Sequence, residues 1–303
     1  MSLAPLALFV YNRPKHAQQA VDALRNNHLA GESELFIFSD GPKDKGAVEA
    51  VLKVRDYIKT INGFRKVTLI ERENNLGLSQ SIITGVSELI VRFGKVIVLE
   101  DDIVTSPYFL QFMNDALLFY QDEGRVISVC AYMYPLSRKY ADTLFLRVAD
   151  CWGWATWKRG WDLFSPDVRG SYNDLRSKGL FRKFNLDGAF NYVRMLKKQM
   201  SGKDHSWAIL WYASAFLNEK LSLYPGQSLV VNTGFDGSGR HGGVVDYFKT
   251  EPLHGPVTIN RIPVLEDEHV IREIEFYLKR QRFNIGYKAL EFIRKKWQSI
   301  KII

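Results

Sequence analysis

The stretch Lys95-Val96-Ile97-Val98-Leu99-Glu100-Asp101-Asp102-Ile103-Val104-Thr105-Ser106-Pro107 decides the architecture. An unbroken apolar run ends in three carboxylates, and a helix start follows within a few residues. A strand with one wet face alternates apolar and polar positions, whereas an unbroken run marks a strand buried on both faces, as in a parallel sheet. Ligands of open α/β sheets bind beyond the carboxyl ends of the strands, and that is where these acids stand. Three adjacent carboxylates repel one another, so the pattern asks for a compensating cation, most simply a divalent metal with hard oxygen ligands. The bland reading is that one Asp caps the next helix. Ser106, with Pro107 at the first helical position, is the better cap.

Working outward, the first 130 residues alternate strand and helix signals with short connections. Strands are predicted over 6–11, 34–39, 67–70, 96–99 and 126–131, and helices over 14–27, 44–61, 78–93 and 107–120. Leu78, Ile82, Val86, Leu89 and Phe93 form a stripe spaced near 3.6 residues. Such alternation implies right-handed βαβ units, hence an α/β fold with a mainly parallel sheet and helices on its faces. After Tyr132 the alternation stops. Residues 133–262 read as a loop-rich, aromatic half with one clear helix over 206–218. From Glu266 the chain reads as two helices broken near Asn284-Ile285-Gly286. Three regions follow: 1–132, 133–262 and a tail over 263–303.

Composition sets the class. At 46% hydrophobic and 24% charged, the 303 residues suit a globular protein with a substantial core. No apolar run nears the ~18 residues of a membrane span, and Pro5–Tyr11 is too short for a secretory signal. Cys130 and Cys151 have neither metal-type nor redox-type spacing, so Cys130 reads as an inert core thiol of a reducing, cytoplasmic setting. The net charge of +8 is mostly a tail property, since 279–303 hold eight basic residues and one acid. That distribution argues against a nucleic-acid binder, which spreads its basic residues over a folded face. In the tail, Tyr287, Leu290, Ile293, Trp297 and Ile300 form a stripe between Lys288, Arg294, Lys295, Lys296 and Lys301. A basic amphipathic helix of this kind suits an anionic membrane surface; packing of the stripe on the core is the alternative.

Several segments, in order, resemble the nucleotide-sugar glycosyltransferases of the GT-A (Rossmann-like) fold. They are Phe9-Val10-Tyr11-Asn12-Arg13-Pro14, Phe38-Ser39-Asp40-Gly41, Val98-Leu99-Glu100-Asp101-Asp102 with Ser106-Pro107-Tyr108-Phe109, Trp152-Gly153-Trp154, and Asp204 ahead of Trp207. More narrowly the chain is similar to the N-acetylglucosaminyltransferase I type and related bacterial sugar transferases, over about residues 4–245. The resemblance implies an inverting, metal-dependent transfer from a UDP-sugar to a hydroxyl of a glycan or lipid-linked saccharide, in bacterial surface polysaccharide synthesis. Asp102 would be the direct ligand of Mn²⁺ or Mg²⁺, with Glu100 and Asp101 facing the donor sugar and ribose. An all-oxygen site suits those ions better than zinc. The protein would sit in the cytoplasm, peripheral on the inner face of the membrane.

Each motif also carries a plainer reading. Asn12-Arg13 and Asp40 end strands at the same edge as the acids. There an Asp can accept from a uracil N–H and an Arg can contact base or phosphate, although Asp40-Gly41-Pro42 is also a simple turn and Arg13 a surface charge. The tryptophans at 152, 154, 157 and 161 either stack on pyranose rings or anchor the second half to the sheet; Trp154 is the expected pocket residue. Asp204 is either the base that deprotonates the acceptor or a helix cap, with Asp150, Asp162 and Asp236 as fallback bases. The run Gly234–Gly243 is either a lid bringing Arg240 and His241 toward phosphates or metal, or a plain surface loop. A nucleotidyltransferase would carry a glycine-rich phosphate loop after the first strand, where this chain has Asn12-Arg13-Pro14-Lys15. A non-catalytic carbohydrate-binding protein would explain the tryptophans but not the acids.

Overall fold

The structure, a computed structural model, describes residues 2–137, 140–237 and 248–281. Arg240, His241 and the stripe of the tail therefore lie outside the described residues.

The acidic stretch folds as its composition dictates. Strand β1 (Leu6–Val10) pairs in parallel with β2 (Glu34–Ser39) and with β4 (Lys95–Glu100), and β3 (Lys66–Glu71) pairs in parallel with β2. Along β1, Leu6, Leu8 and Val10 face one core layer while Ala7 and Phe9 face the other, which is why the strand has no polar alternation. Helices α1 (Pro14–Arg25) and α2 (Val48–Ile58) cover one face, and α3 (Gly77–Phe93) covers the other. In α3 the predicted stripe is buried at Ile82, Val86 and Leu89, but Leu78 and Phe93 at its ends are exposed.

The step from the acids to the next helix differs from expectation. A short strand, β5 (Ile103–Thr105), intervenes, and helix α4 starts at Phe109. Ser106 is not its N-cap, although its Oγ accepts from the Tyr108 amide at 3.2 Å. The reason is a long-range partner: Asn27, just past α1, accepts the Leu110 amide at 2.9 Å and donates to Thr105 Oγ1 at 2.9 Å. A side chain 83 positions away supplies what a local cap would have given.

Residues 133–262 hold more regular structure than their sequence signalled. Following β6 (Val126–Cys130), strands β7 (Thr143–Leu146), β8 (Trp154–Trp157) and β9 (Leu221–Pro225) complete one eight-stranded sheet of order β3-β2-β1-β4-β8-β6-β9-β7. Here β8 is antiparallel to both β4 and β6, β9 is parallel to β6, and β7 is antiparallel to β9. Strand β10 (Val230–Asn232) pairs antiparallel with β5. Helices α5 (Lys158–Trp161), α6 (Val168–Ser177), α7 (Phe181–Phe184), α8 (Tyr192–Met200) and α9 (Trp207–Leu217) fill the rest. Helix α9 is apolar all round and nearly every residue is buried, as expected of a helix enclosed by neighbours.

A helix over 268–281, α10, buries Val270, Ile271, Ile274 and Leu278. It is clamped to the sheet through Arg147, which bonds Glu266 at 2.6 Å and Glu275 at 3.4 Å. Among the described residues no helix is long and apolar enough to cross a membrane.

Candidate functional site at the carboxyl edge of the sheet

Strands β1, β2 and β4 all end at one edge, which gathers Asn12, Arg13, Asp40 and the acidic triplet as expected. The Arg13 guanidinium bonds Asp101 Oδ1 and, through the same nitrogen, Asp102 Oδ2 at 2.9 Å. Burial disfavours its charge, yet the two carboxylates outweigh that and hold Arg13 above its ordinary pKa. Burial pushes Asp101 up to about 6 against the pull of Arg13, while burial and then the charges of Asp102 and Asp101 push Glu100 up to about 8. Burial is the main cause of both raised values; mutual repulsion of the acids adds to it, and one arginine offsets it only in part.

The segment after β10 closes over this cluster. Thr233 donates to the Asp102 carbonyl through its amide (2.8 Å) and hydroxyl (3.0 Å). Gly234 lies so close that an added Cβ would stand 2.2 Å from Asp102 Oδ2, so any side chain there would push the carboxylate aside. Asp236 reaches back to His16 at 3.3 Å. His16 escaped the sequence reading, though its signal was available: it stands three residues after Arg13 at a helix start, so both face the same edge. Of the expected lid, Gly234–Gly237 thus rest on the acids and on α1.

These features bear on a metal. The acids are hard oxygen donors, and Asp101 Oδ2 is buried without a hydrogen-bond partner. The set fits a divalent cation such as Mn²⁺ or Mg²⁺. Among the described residues no group of three or more His, Cys, Asp or Glu side chains forms a ready cage. A cation here would take the rest of its shell from phosphate oxygens and water.

Asp40 is 5% exposed and its carboxylate is engaged: Oδ1 accepts from Gly41 (3.1 Å) and Leu76 (2.9 Å), and Oδ2 from Gly77 (2.8 Å). It ties the start of α3 to the end of β2, a long-range role that neither the nucleotide nor the turn reading named. A nucleotide contact would share that carboxylate with three backbone amides.

Trp154 does not line an open pocket. It is 1% exposed and enclosed by Trp161, Trp207 and Trp211, with ring centroids 5.3–5.9 Å away. The half-buried indole at this edge is Trp152, beside Tyr132 (4.6 Å), Phe235 (5.5 Å) and Phe248 (5.5 Å). Positions 152 and 154 share a face in any strand, so only the start of β8 at Trp154, which leaves Trp152 in the preceding loop, separates them.

Asp204 lies in the turn before α9. Trp154 begins β8 opposite Val98, next to the acids, and Trp207 at the start of α9 stacks on it. The cap position of α9 is Ser206, which makes no side-chain cap bond, and among the described residues Asp204 accepts only from its neighbour's amide, His205 N, at 2.8 Å. Its carboxylate is not spent on the helix. Of the fallback bases, Asp162 pairs with Lys158 at 2.7 Å and Asp236 with His16. Asp150 is held by Tyr224 (2.9 Å) and Tyr134 (3.5 Å), between the carboxyl ends of β6 and β9. Burial pushes it up to about 6.

Farther along this edge a cavity of about 570 Å³ lies among the loops after β6 and β9. Tyr134, Tyr140, Asp142, Gln227, Ser228 and Glu251 line it.

No family model matches the chain, and no curated protein matches it. Among solved structures it is similar to the mannosyltransferase PcManGT from Pyrobaculum calidifontis in complex with GDP-Man and Mn²⁺, at 12% identity over 72% of this chain and 70% of that one, with a TM-score of 0.41. It is also similar to S. aureus TarS 1–349, at 12% identity over 76% of this chain but only 60% of that one (TM-score 0.44). A UDP-glucose pyrophosphorylase complexed with UDP-glucose is similar at 11% identity over 74% of this chain and 90% of that one (TM-score 0.38). Likenesses this distant carry no functional weight, and the reading of the site rests on its residues.

Proposed function

We propose that the protein is a glycosyltransferase that moves a sugar from a UDP-sugar to a saccharide hydroxyl, with inversion, in the manner of the N-acetylglucosaminyltransferase I type. The observation that carries this reading is the convergence, at one sheet edge, of Glu100, Asp101 and Asp102 under Arg13, with Asn12 and Asp40 at the ends of the neighbouring strands.

In this reading Arg13 and Asn12 meet the nucleotide, with Asp40 holding the loop beneath it. Glu100 and Asp101 face the ribose and donor sugar. Asp102 would hold the Mn²⁺ or Mg²⁺, which when bound neutralises charge on the departing diphosphate. Asp204 takes the proton from the attacking hydroxyl, and a single displacement with one base inverts the anomeric centre. Trp152 offers the sugar an aromatic face, while Trp154 keeps the wall behind it rigid. The cavity beside β9 is three strands from β4, about 14 Å at the usual spacing, so it suits further units of a glycan or lipid-linked acceptor. Surface polysaccharide synthesis and attachment to an anionic membrane through the basic tail complete the proposal.

The test is a thermal-shift panel of nucleotide-sugars with and without Mn²⁺, followed by transfer assays of Asp204→Asn. The expected outcome is stabilisation by one UDP-sugar that grows with Mn²⁺, retained in the variant, while transfer falls on the order of 10²–10⁴-fold. Unchanged transfer would return Asp204 to a local turn role, and no stabilisation by any nucleotide-sugar would remove the donor site.

A further inference from the structure

Building on the donor-site reading, we propose that Arg13 is an internal counter-ion. It holds Asp101 and Asp102 until a nucleoside diphosphate draws it away, and so makes divalent-cation binding depend on the nucleotide.

One guanidinium nitrogen serves both carboxylates, and all three side chains are largely shielded, at 19%, 5% and 15% exposure for Arg13, Asp101 and Asp102. Arginine binds a carboxylate best as a fork, two parallel bonds to one partner. A single nitrogen shared between two acids is an electrostatic compromise, and a diphosphate offers that fork a better-matched anion. The approaches to Asp102 are narrow as well. Arg13 takes one side of Oδ2, and on another the Gly234 backbone lies too close to admit even a methyl group. A cation that reaches this oxygen meets the guanidinium charge at contact distance and must displace it. The other side chain of α1 that can carry positive charge here, His16, is already tied to Asp236. Release of Arg13 would free Asp101 Oδ1 as well, beside the buried Oδ2 that already has no hydrogen-bond partner.

Two consequences follow. A cation alone meets an arginine-filled site and binds weakly; a nucleotide that recruits Arg13 to its phosphates opens the site. Linkage then requires the cation to strengthen nucleotide binding by the same factor.

The experiment titrates Mn²⁺ into the full chain, with free Mn²⁺ read by electron paramagnetic resonance, in the absence and presence of UDP. Wild type, Arg13→Met and Arg13→Gln are compared, and Asp102→Asn serves as the site control. Removing the arginine leaves buried carboxylates uncompensated, so Arg13→Met should bind Mn²⁺ alone at least about tenfold more tightly than wild type. The gain on adding UDP should shrink correspondingly. Arg13→Gln keeps a hydrogen-bond donor and repeats the measurement if the Met variant loses its fold. Nucleotide-dependent Mn²⁺ binding in wild type, with neither variant tighter on Mn²⁺ alone, would overturn the inference while sparing the donor site. A wild type that binds no Mn²⁺ even with UDP would overturn both.

Discussion

Asp101 and Asp150 occupy the same edge of the sheet and are raised to the same pKa of about 6, by burial in both cases. Their surroundings are opposite. Asp101 is answered by a full positive charge, Arg13, within a cluster of like charges; Asp150 is answered only by the neutral hydroxyls of Tyr224 and Tyr134. The first arrangement can be rebuilt by any stronger anion or cation that enters, which suits a site that must exchange partners. The second has no charge to exchange and is locked by a tyrosine that is 0% exposed. The same raised pKa therefore goes with an exchangeable charge cluster in one half and a fixed, uncharged enclosure in the other.

The largest test of that contrast is Asp102→Asn. It removes one carboxylate beside Asp101 but should leave the fold intact, because the group lies at a sheet edge. Loss of several kcal/mol of charge stabilisation corresponds to about 10³-fold slower Mn²⁺-dependent transfer. Full activity in that variant would place the reaction elsewhere. On the Asp150 side, Tyr224→Phe strips the carboxylate of its 2.9 Å donor and the Asp150 amide of its acceptor. We expect a loss of about 1.5–3 kcal/mol of stability by denaturant unfolding, with UDP binding unchanged. A stable variant that cannot bind UDP would make Asp150 part of the working site.

The smallest effect is a pH profile. Folded Asp150 keeps its proton up to about pH 6, whereas in the unfolded chain an Asp releases it near pH 4. Folding therefore takes up a proton between those values, and wild type loses stability through this group as pH rises from about 4 to 6. Asp150→Asn has no such loss, so its melting temperature should gain on wild type between pH 4.5 and 7.5. Parallel melting curves would mean that the buried carboxylate costs nothing to ionise.

The halves also differ in how openly their sequences declare them. Strands β1, β2 and β4 announce themselves because both faces are buried and their partners follow within short βα units. The acids stand out for the same reason: charge at the end of an apolar run has few structural uses. By contrast β7 has four residues and pairs with β9 some 80 positions on, Leu144 opposite Tyr224, and β9 ends in a proline. Nothing local marks either as a strand. Trp154 was misplaced in the same way: the sequence shows four indoles in ten residues, but which one is enclosed depends on where α9 packs. Asn27 as the partner of α4, and Asp40 as the tie to α3, are likewise contacts made by tertiary approach rather than by spacing.

The clamp at Arg147 has a bearing on how the chain is made. Strand β7 is the outer strand of the sheet, and what shields it is the bridge from Phe145 to Glu266 together with α10, joined by the Arg147 ion pairs. Because β7 joins the sheet only through β9, the exposed interval runs from the end of β9 at Pro225 to Glu266, about 41 residues or at least ~2 seconds at ordinary translation speeds of ~5–20 residues per second. Until Glu266 and α10 emerge from the ribosome, Leu144, Phe145 and Leu146 border an open strand edge of the kind that recruits other chains. The nascent protein thus has a built-in interval of vulnerability, and chaperone dependence during synthesis should be set by residues 266–281 rather than by the acidic edge.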